Sequence, residues 1–136
     1  MNERDSGSPG AALDAEMIKV VVADDSEIVR DAVRDLFEPI GADVHEIDSA
    51  IGLSGLLHRV RPDAVVLDVN MPAIRGDEAV AAVRRVCPRA AIVLFSSEPD
   101  VAEYARARGV AWVSKRTPEL LVRTVLRHAA ANLGSR

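Results

Sequence analysis

The sequence predicts an α/β fold in which helices cover both faces of a parallel β-sheet. Five short strand candidates, most of them apolar runs, alternate along the chain with segments whose apolar residues recur at helical spacing. Strands and helices that alternate in this way form βαβ units, whose strands run parallel. The runs AVVL and AIVLF are apolar at every position, as expected for strands that are buried on both faces.

Each element of this fold follows from a local pattern. The five strand candidates cover residues 18–23, 43–47, 64–67, 91–95 and 110–113. Apolar residues at helical spacing predict four further elements, all helices, with stripes within residues 28–37, 53–60, 79–86 and 120–128, and a weaker helix over 99–108. Gly52 and Gly55 predict a short or loosely held second helix, because each glycine costs about 1 kcal/mol relative to alanine. Thr117 and Pro118 predict the N-cap and the first position of the fifth helix.

The composition is that of one globular domain. The chain has 136 residues, of which 49% are apolar and 28% charged, so it can bury a core. Residues 1–16 are polar and lack periodicity, which predicts a flexible N-terminal tail, a domain over residues 17–133 and a short C-terminal tail over 134–136. The single cysteine, Cys87, excludes an internal disulfide, and we expect a cytoplasmic protein with no membrane contact.

Charge narrows the class of partner. The formal net charge is −4, so the chain lacks the excess of basic residues that nucleic-acid binding needs. We therefore expect no direct contact with nucleic acid.

Polar side chains follow four of the predicted strands. The carboxyl ends of parallel strands meet at one edge of the sheet, which is where ligands bind in open α/β sheets. Three carboxylates, a hydroxyl and an ammonium are therefore expected to gather there. Hard oxygen ligands in this number suit Mg²⁺, which would also offset the repulsion between neighbouring acids. The residues are Asp24, Asp25, Asp68, Ser96 (or its neighbour Ser97) and Lys115.

Each of these residues also has a simpler interpretation. A strand-end aspartate such as Asp25 is often the N-cap of the next helix. Ser96 or Ser97 could likewise cap a helix, and Lys115 alone could be a solvated surface charge. The combination of all five at strand ends, rather than any single residue, favours a functional site.

Four motifs give the chain its resemblance to a known family. VVADDS, DAVVLDVNMPAIRG, LFSS and VAWVSK together resemble the receiver domain of two-component response regulators, over residues 17–133. The resemblance implies a flavodoxin-like, doubly wound sheet of five strands in the order 2-1-3-4-5. It also implies that the domain accepts a phosphoryl group from a histidine kinase or a phosphotransfer protein and then acts as a signalling switch. In such a phosphorelay the receiver is a phosphoprotein and catalyses only its own phosphotransfer and dephosphorylation.

The resemblance assigns a role to each matching residue. Asp68 would be the phosphoacceptor, forming an aspartyl phosphate, with Ser96 and Lys115 contacting the phosphoryl group. The positions that tune dephosphorylation are Asn70 and Glu98, a pair that resembles that of single-domain, chemotaxis-type receivers. The expected ligands of Mg²⁺ are Asp24 (mainly through bound water), Asp25, Asp68 and the backbone carbonyl of Asn70.

Two residues depart from the family pattern. Trp112 stands where the family commonly has a Tyr or Phe that turns inward when the hydroxyl residue moves. Because Trp is larger and its N–H needs a partner when buried, a second interpretation keeps Trp112 on the output face permanently. Arg116 replaces the usual proline after Lys115. A cis bond before a residue other than proline costs about 2.5–4 kcal/mol, so we expect a trans bond there.

The family presents its output on the fourth helix, the fifth strand and the fifth helix, which here include Tyr104, Arg108 and Trp112. This face would contact a downstream protein or a second receiver. Two rivals remain. One is a receiver-like binding module that works without phosphorylation. The other is a phosphatase of the haloacid dehalogenase type, which would have a D-x-D motif where this chain has Asp24-Asp25-Ser26.

Overall fold

Five parallel strands form one sheet in the order β2-β1-β3-β4-β5. The computed structural model describes residues 18–71 and 76–134, so the predicted tail over 1–16 and residues 135–136 lie outside the described residues. The predicted α/β class and strand order are confirmed. The strands are β1 (Lys19–Ala23), β2 (Asp43–Ile47), β3 (Ala64–Leu67), β4 (Ala91–Ser96) and β5 (Ala111–Ser114).

The predicted helices are all present, with differences at their ends. They are α1 (Glu27–Phe37), α2 (Leu53–Val60), α3 (Gly76–Val86), α4 (Val101–Arg108) and α5 (Leu121–Gly134). The prediction that Thr117 caps the fifth helix is wrong. Thr117 makes no cap hydrogen bond through its side chain, and Pro118–Leu120 forms a 3₁₀ turn before α5 begins. Because α5 includes Gly134, the helix extends one residue beyond the predicted end of the domain.

The second helix is short, as predicted. α2 has eight residues, and Gly52 precedes it with φ +86°, a left-handed conformation that glycine adopts without steric cost. The side chain of Ser26 caps α1 by accepting a hydrogen bond from the backbone N–H of Val29 at 3.3 Å.

The sheet separates two hydrophobic cores because successive strand residues point to opposite faces. On one face, Val21, Val65 and Leu94 pack with the apolar sides of α2, α3 and α4. On the other, Val22 and Val66 pack with apolar residues of α1 and α5. All four residues of β3 are buried, and so are all six of β4. The sheet is therefore a rigid platform for the residues that follow its strands.

No peptide bond between described residues is cis, so the bond between Lys115 and Arg116 is trans, as expected. None of the helices in the described ranges is long and apolar enough to cross a membrane.

Candidate functional site

Three carboxylates meet at the carboxyl edge of the sheet, after β1 and β3. These strands are neighbours with Ala23 opposite Leu67, and the backbone N–H of Asp68 donates to the carbonyl of Ala23 at 2.9 Å. One oxygen from each of Asp24, Asp25 and Asp68 lies within 4.8 Å of the others. Asp24 and Asp68 are only 2% and 6% exposed, whereas Asp25 is exposed. Parallel pairing therefore brings the three predicted acids together.

The two buried acids are held by the same kind of side-chain-to-backbone turn. Oδ1 of Asp24 accepts a hydrogen bond from the N–H of Ser26 at 2.9 Å. Oδ1 of Asp68 accepts one from the N–H of Asn70 at 3.1 Å. In both cases a side chain closes a turn with the backbone two residues on. Since Ser26 caps α1, the interpretation of Asp25 as an N-cap is wrong.

Lys115 turns inward to this cluster. Its Nζ lies 2.9 Å from Oδ2 of Asp24 and 3.8 Å from Oδ1 of Asp68. Its side chain is 21% exposed, so the interpretation as a solvated surface charge is also wrong. The loop that carries it is held by a hydrogen bond from the backbone N–H of Lys115 to the carbonyl of Ser96 at 3.0 Å.

Negative charge in the cluster exceeds what one ammonium can neutralise. Burial raises the pKa of Asp68, and the charges of Asp24 and Asp25 raise it further. The backbone N–H of Asn70 and the ammonium of Lys115 act in the opposite direction, but they do not restore the ordinary pKa. A cation would relieve this excess, and carboxylates are the hard oxygen donors that Mg²⁺ prefers. The residues present therefore fit Mg²⁺.

Ser96 is the last residue of β4 and is 1% exposed. Its Oγ accepts a hydrogen bond from the N–H of Glu98 at 3.0 Å, which leaves its own O–H as a donor. Neither Ser96 nor Ser97 caps the next helix, because the N-cap of α4 is Asp100. The hydroxyl therefore lies at the carboxyl end of β4, the strand beside β3, which is the edge of the sheet that the sequence predicts.

Asn70 and Glu98, predicted to tune dephosphorylation, contact each other. Nδ2 of Asn70 donates to Oε2 of Glu98 at 3.0 Å. Both side chains are exposed and belong to the loops that follow β3 and β4. The hydrogen bond therefore connects these two loops.

Trp112 lies on β5 with 42% of its surface exposed. It is paired in register with Leu94, two residues before Ser96. Nearby along the chain, the guanidinium of Arg108 lies 3.5 Å from the ring centroid of Tyr104, on α4. In this structure Trp112 therefore occupies the outward position.

Two further contacts support the site and are not predicted by the strand-end pattern. Nη1 of Arg30 donates to the backbone carbonyl of Asp24 at 2.8 Å. The N–H of Arg116 donates to Oγ of Ser114 at 3.0 Å, a bond that proline at this position could not make. The signal for the first contact was the position of Arg30, six residues after Asp24 and within the first helix. The signal for the second was Ser114, two residues before the position at which Arg116 replaces the usual proline.

Comparison with known proteins gives concordant results. The protein-family model for the response regulator receiver domain matches residues 20–126 of this chain. Among curated relatives, a protein-glutamate methylesterase/protein-glutamine glutaminase of Nocardioides sp. is 35% identical over 59% of this chain and 22% of its own length. The corresponding protein of Methanococcoides burtonii is 37% identical over 60% of this chain and 23% of its own. The chain thus spans less than a quarter of the length of these relatives.

Solved structures extend the comparison to the fold. The chemotaxis response regulator CheY4 of Vibrio cholerae is 30% identical, with a TM-score of 0.73 over 82% of this chain and 98% of its own. A receiver domain protein from Clostridium thermocellum has a TM-score of 0.79 over 88% of this chain and 100% of its own. At 18% identity, the second likeness shows the fold alone.

Proposed function

Because the chain belongs to the response regulator receiver domain family, we propose that it is a phosphorylation-activated switch of a two-component phosphorelay. Asp68 accepts a phosphoryl group from the phosphohistidine of a histidine kinase or from a phosphotransfer protein. The observation that carries this proposal is the cluster itself: a buried Asp68 next to two further acids, with the ammonium of Lys115 at 2.9 Å from Asp24 and 3.8 Å from Asp68.

In the transfer step, a carboxylate oxygen of Asp68 attacks the phosphorus atom and the histidine nitrogen leaves with the bonding electrons. Little covalent help is needed in phosphoryl transfer, so positioning and charge neutralisation provide most of the catalysis. Asp24, Asp25, Asp68 and the carbonyl of Asn70 would hold Mg²⁺, whose chemical contribution is to neutralise charge on the phosphoryl oxygens. The ammonium of Lys115, now 3.8 Å from Asp68, pairs with one of those oxygens.

The switch uses an interaction that exists only after phosphorylation. The free O–H of Ser96 donates to the phosphoryl group, and Trp112, whose partner Leu94 lies on the same strand as Ser96, responds. A group shifts an equilibrium only through interactions that differ between the two states. The output face comprises α4, β5 and α5, and it contacts a downstream protein or a second receiver.

The receiver is the domain predicted over residues 17–133, with its last helix ending at Gly134, and it acts in the cytoplasm without direct contact with nucleic acid or membrane. Apart from its own phosphotransfer and dephosphorylation, it catalyses no reaction.

The test of this function is phosphorylation by a small phosphodonor. With acetyl phosphate and Mg²⁺, intact-mass measurement is expected to show one added phosphoryl group, and omission of Mg²⁺ is expected to suppress it. A chain that stays unmodified under conditions in which a known receiver is phosphorylated contradicts the proposal. That result favours a binding module that works without phosphorylation, for which the exposed Trp112 is the supporting observation.

Fluorescence of Trp112 is expected to report activation, because it is the only tryptophan in the chain. Beryllofluoride with Mg²⁺ should change the emission intensity and reduce access of a soluble quencher, since the side chain is 42% exposed before activation. Mg²⁺ alone and Asp68→Asn with beryllofluoride are the controls, and neither should show the change. A Trp112 that is indifferent in protein shown to bind beryllofluoride belongs to a constitutive docking face.

Loss of the phosphoryl group is expected to depend on Asn70 and Glu98. Both side chains are polar and exposed, so they can orient an attacking water. The double substitution Asn70→Met with Glu98→Leu should slow dephosphorylation roughly tenfold, below the range for a fully positioned general base. Decay is followed by mass after removal of the phosphodonor, with the exposed Glu103→Leu as the control. An unchanged or faster decay rules out this role.

A further inference from the structure

Two arginines of α1 share one carboxylate of β2. Nε of Arg30 lies 3.1 Å from Oε1 of Glu46, and Nε of Arg34 lies 2.7 Å from Oε2. The two arginines are four residues apart, and therefore lie on the same face of the helix. Burial raises the pKa of Glu46, but the hydrogen bonds and charges of Arg34 and Arg30 outweigh it and hold the pKa below its ordinary value. The network thus stabilises the fold at neutral pH, and this contribution is lost as the pH falls through the lowered pKa.

Each arginine donates one further hydrogen bond, and the acceptor differs between the two arginines. Nη2 of Arg34 donates to the carbonyl of Val44, inside β2, at 3.2 Å. Nη1 of Arg30 donates to the carbonyl of Asp24 at 2.8 Å, and the Arg30 side chain is only 14% exposed. One arginine therefore connects α1 to the neighbouring strand, whereas the other reaches the acidic cluster.

The carbonyl of Asp24 belongs to the peptide that joins the two neighbouring acids. The other polar groups of Asp24 are already held: its N–H by Ile47, Oδ1 by Ser26 and Oδ2 by Lys115. Asp25, the next residue, is exposed, so packing restrains its side chain little, and this peptide sets the position of its backbone nitrogen. Holding the peptide plane therefore constrains the backbone from which the Asp25 carboxylate extends into the cluster with Asp24 and Asp68.

We propose that Arg30 is a positioning residue for the divalent-cation site, since it holds the Asp24–Asp25 peptide and thereby aims the carboxylate of Asp25. This inference rests on the proposed binding of Mg²⁺ at the acidic cluster. Residues that orient metal ligands in this way typically change metal affinity by about 10- to 100-fold when they are mutated. The direction of the change in Mg²⁺ affinity distinguishes two effects of losing Arg30. Removing a positive charge beside three acids would by itself strengthen cation binding, whereas losing the orientation of Asp25 weakens it.

The test is the affinity for Mg²⁺, measured by calorimetry without any phosphodonor. Arg30→Met is expected to weaken binding roughly tenfold or more. Arg34→Met is the matched control, because it removes the same kind of ion pair with Glu46 but no contact with Asp24, and its affinity should stay within about twofold of wild type. Thermal unfolding without Mg²⁺ should show similar destabilisation of the two variants.

A second variant, Arg30→Lys, tests the same role in case Arg30→Met does not fold. Lysine at this position can keep the ion pair with Glu46 but lacks the planar fork that serves two acceptors, so Arg30→Lys should fold and still bind Mg²⁺ weakly. Wild-type affinity in Arg30→Lys, or equal weakening in the Arg30→Met and Arg34→Met variants, overturns the positioning role. A wild-type chain that binds no Mg²⁺ overturns the metal site itself, a result distinct from either of these.

Discussion

Asp68→Asn is expected to abolish phosphorylation by acetyl phosphate and Mg²⁺, because an amide oxygen is not a nucleophile at phosphorus. The side chains have the same shape, so the loss cannot be attributed to a cavity. Intact mass should show no added phosphoryl group under conditions that modify the wild type. The exposed Asp35→Asn, on α1, is the matched control and should be phosphorylated normally.

The same substitution is expected to stabilise the chain in the absence of Mg²⁺. Burial and two neighbouring acids raise the pKa of Asp68, so the folded state binds a proton more tightly than the unfolded state, and ionisation at neutral pH opposes folding. The neutral amide removes that opposition. Because 1 kcal/mol moves the Tm of a domain of this size by about 3–6 °C, a rise of a few degrees is measurable. Phosphorylation of Asp68→Asn would place the acceptor elsewhere, and a lower Tm would contradict the electrostatic explanation.

Lys115→Met is expected to change two measurements in opposite directions. The initial rate of phosphorylation should fall roughly 100-fold, the lower end of what one lost stabilising donor costs. Affinity for Mg²⁺ should rise, because Asp24 loses the ammonium that lies 2.9 Å from its Oδ2. Methionine keeps most of the length of the side chain, so packing changes little.

The neighbouring Arg116→Met is the control for Lys115→Met. It removes the same charge from an exposed position whose backbone N–H, rather than side chain, bonds to Ser114. Its rate and its Mg²⁺ affinity should remain close to those of the wild type. If both quantities fall in Lys115→Met, the lysine supports the shape of the site instead of pairing with the phosphoryl group.

The sequence predicts the location of the acids because strand ends in a parallel sheet share one edge. Asp24 directly follows β1, which is buried except at Lys19, and Asp68 directly follows β3, which is buried throughout. Predicting these two apolar strands therefore also placed both carboxylates. Ser96 and Lys115 follow from the same argument, and the family resemblance adds their roles, which stay predictions. What local patterns could not predict is side-chain reach across the fold. The bond from Arg30 to the carbonyl of Asp24 depends on how α1 packs against the sheet.

Local signals also misplaced one helix end. Thr117 and Pro118 match the pattern of an N-cap and first helical residue, but the segment forms a 3₁₀ turn instead. A 3₁₀ turn accepts the same residues at its start, so the pattern does not distinguish the two. The hydrogen bond between Asn70 and Glu98 was likewise beyond the sequence, which indicated the two positions but not their contact.

The uneven burial of the strands bears on how much work the switch requires. In β5 only Val113 is buried, and this strand pairs with β4 alone, whereas β3 is buried throughout and paired on both sides. Local opening is least costly where few apolar contacts are broken. Trp112 and the backbone leading to Lys115 therefore belong to the margin of the sheet that shifts at the lowest free-energy cost. A few new hydrogen bonds at the site can displace this margin while the central strands stay in place.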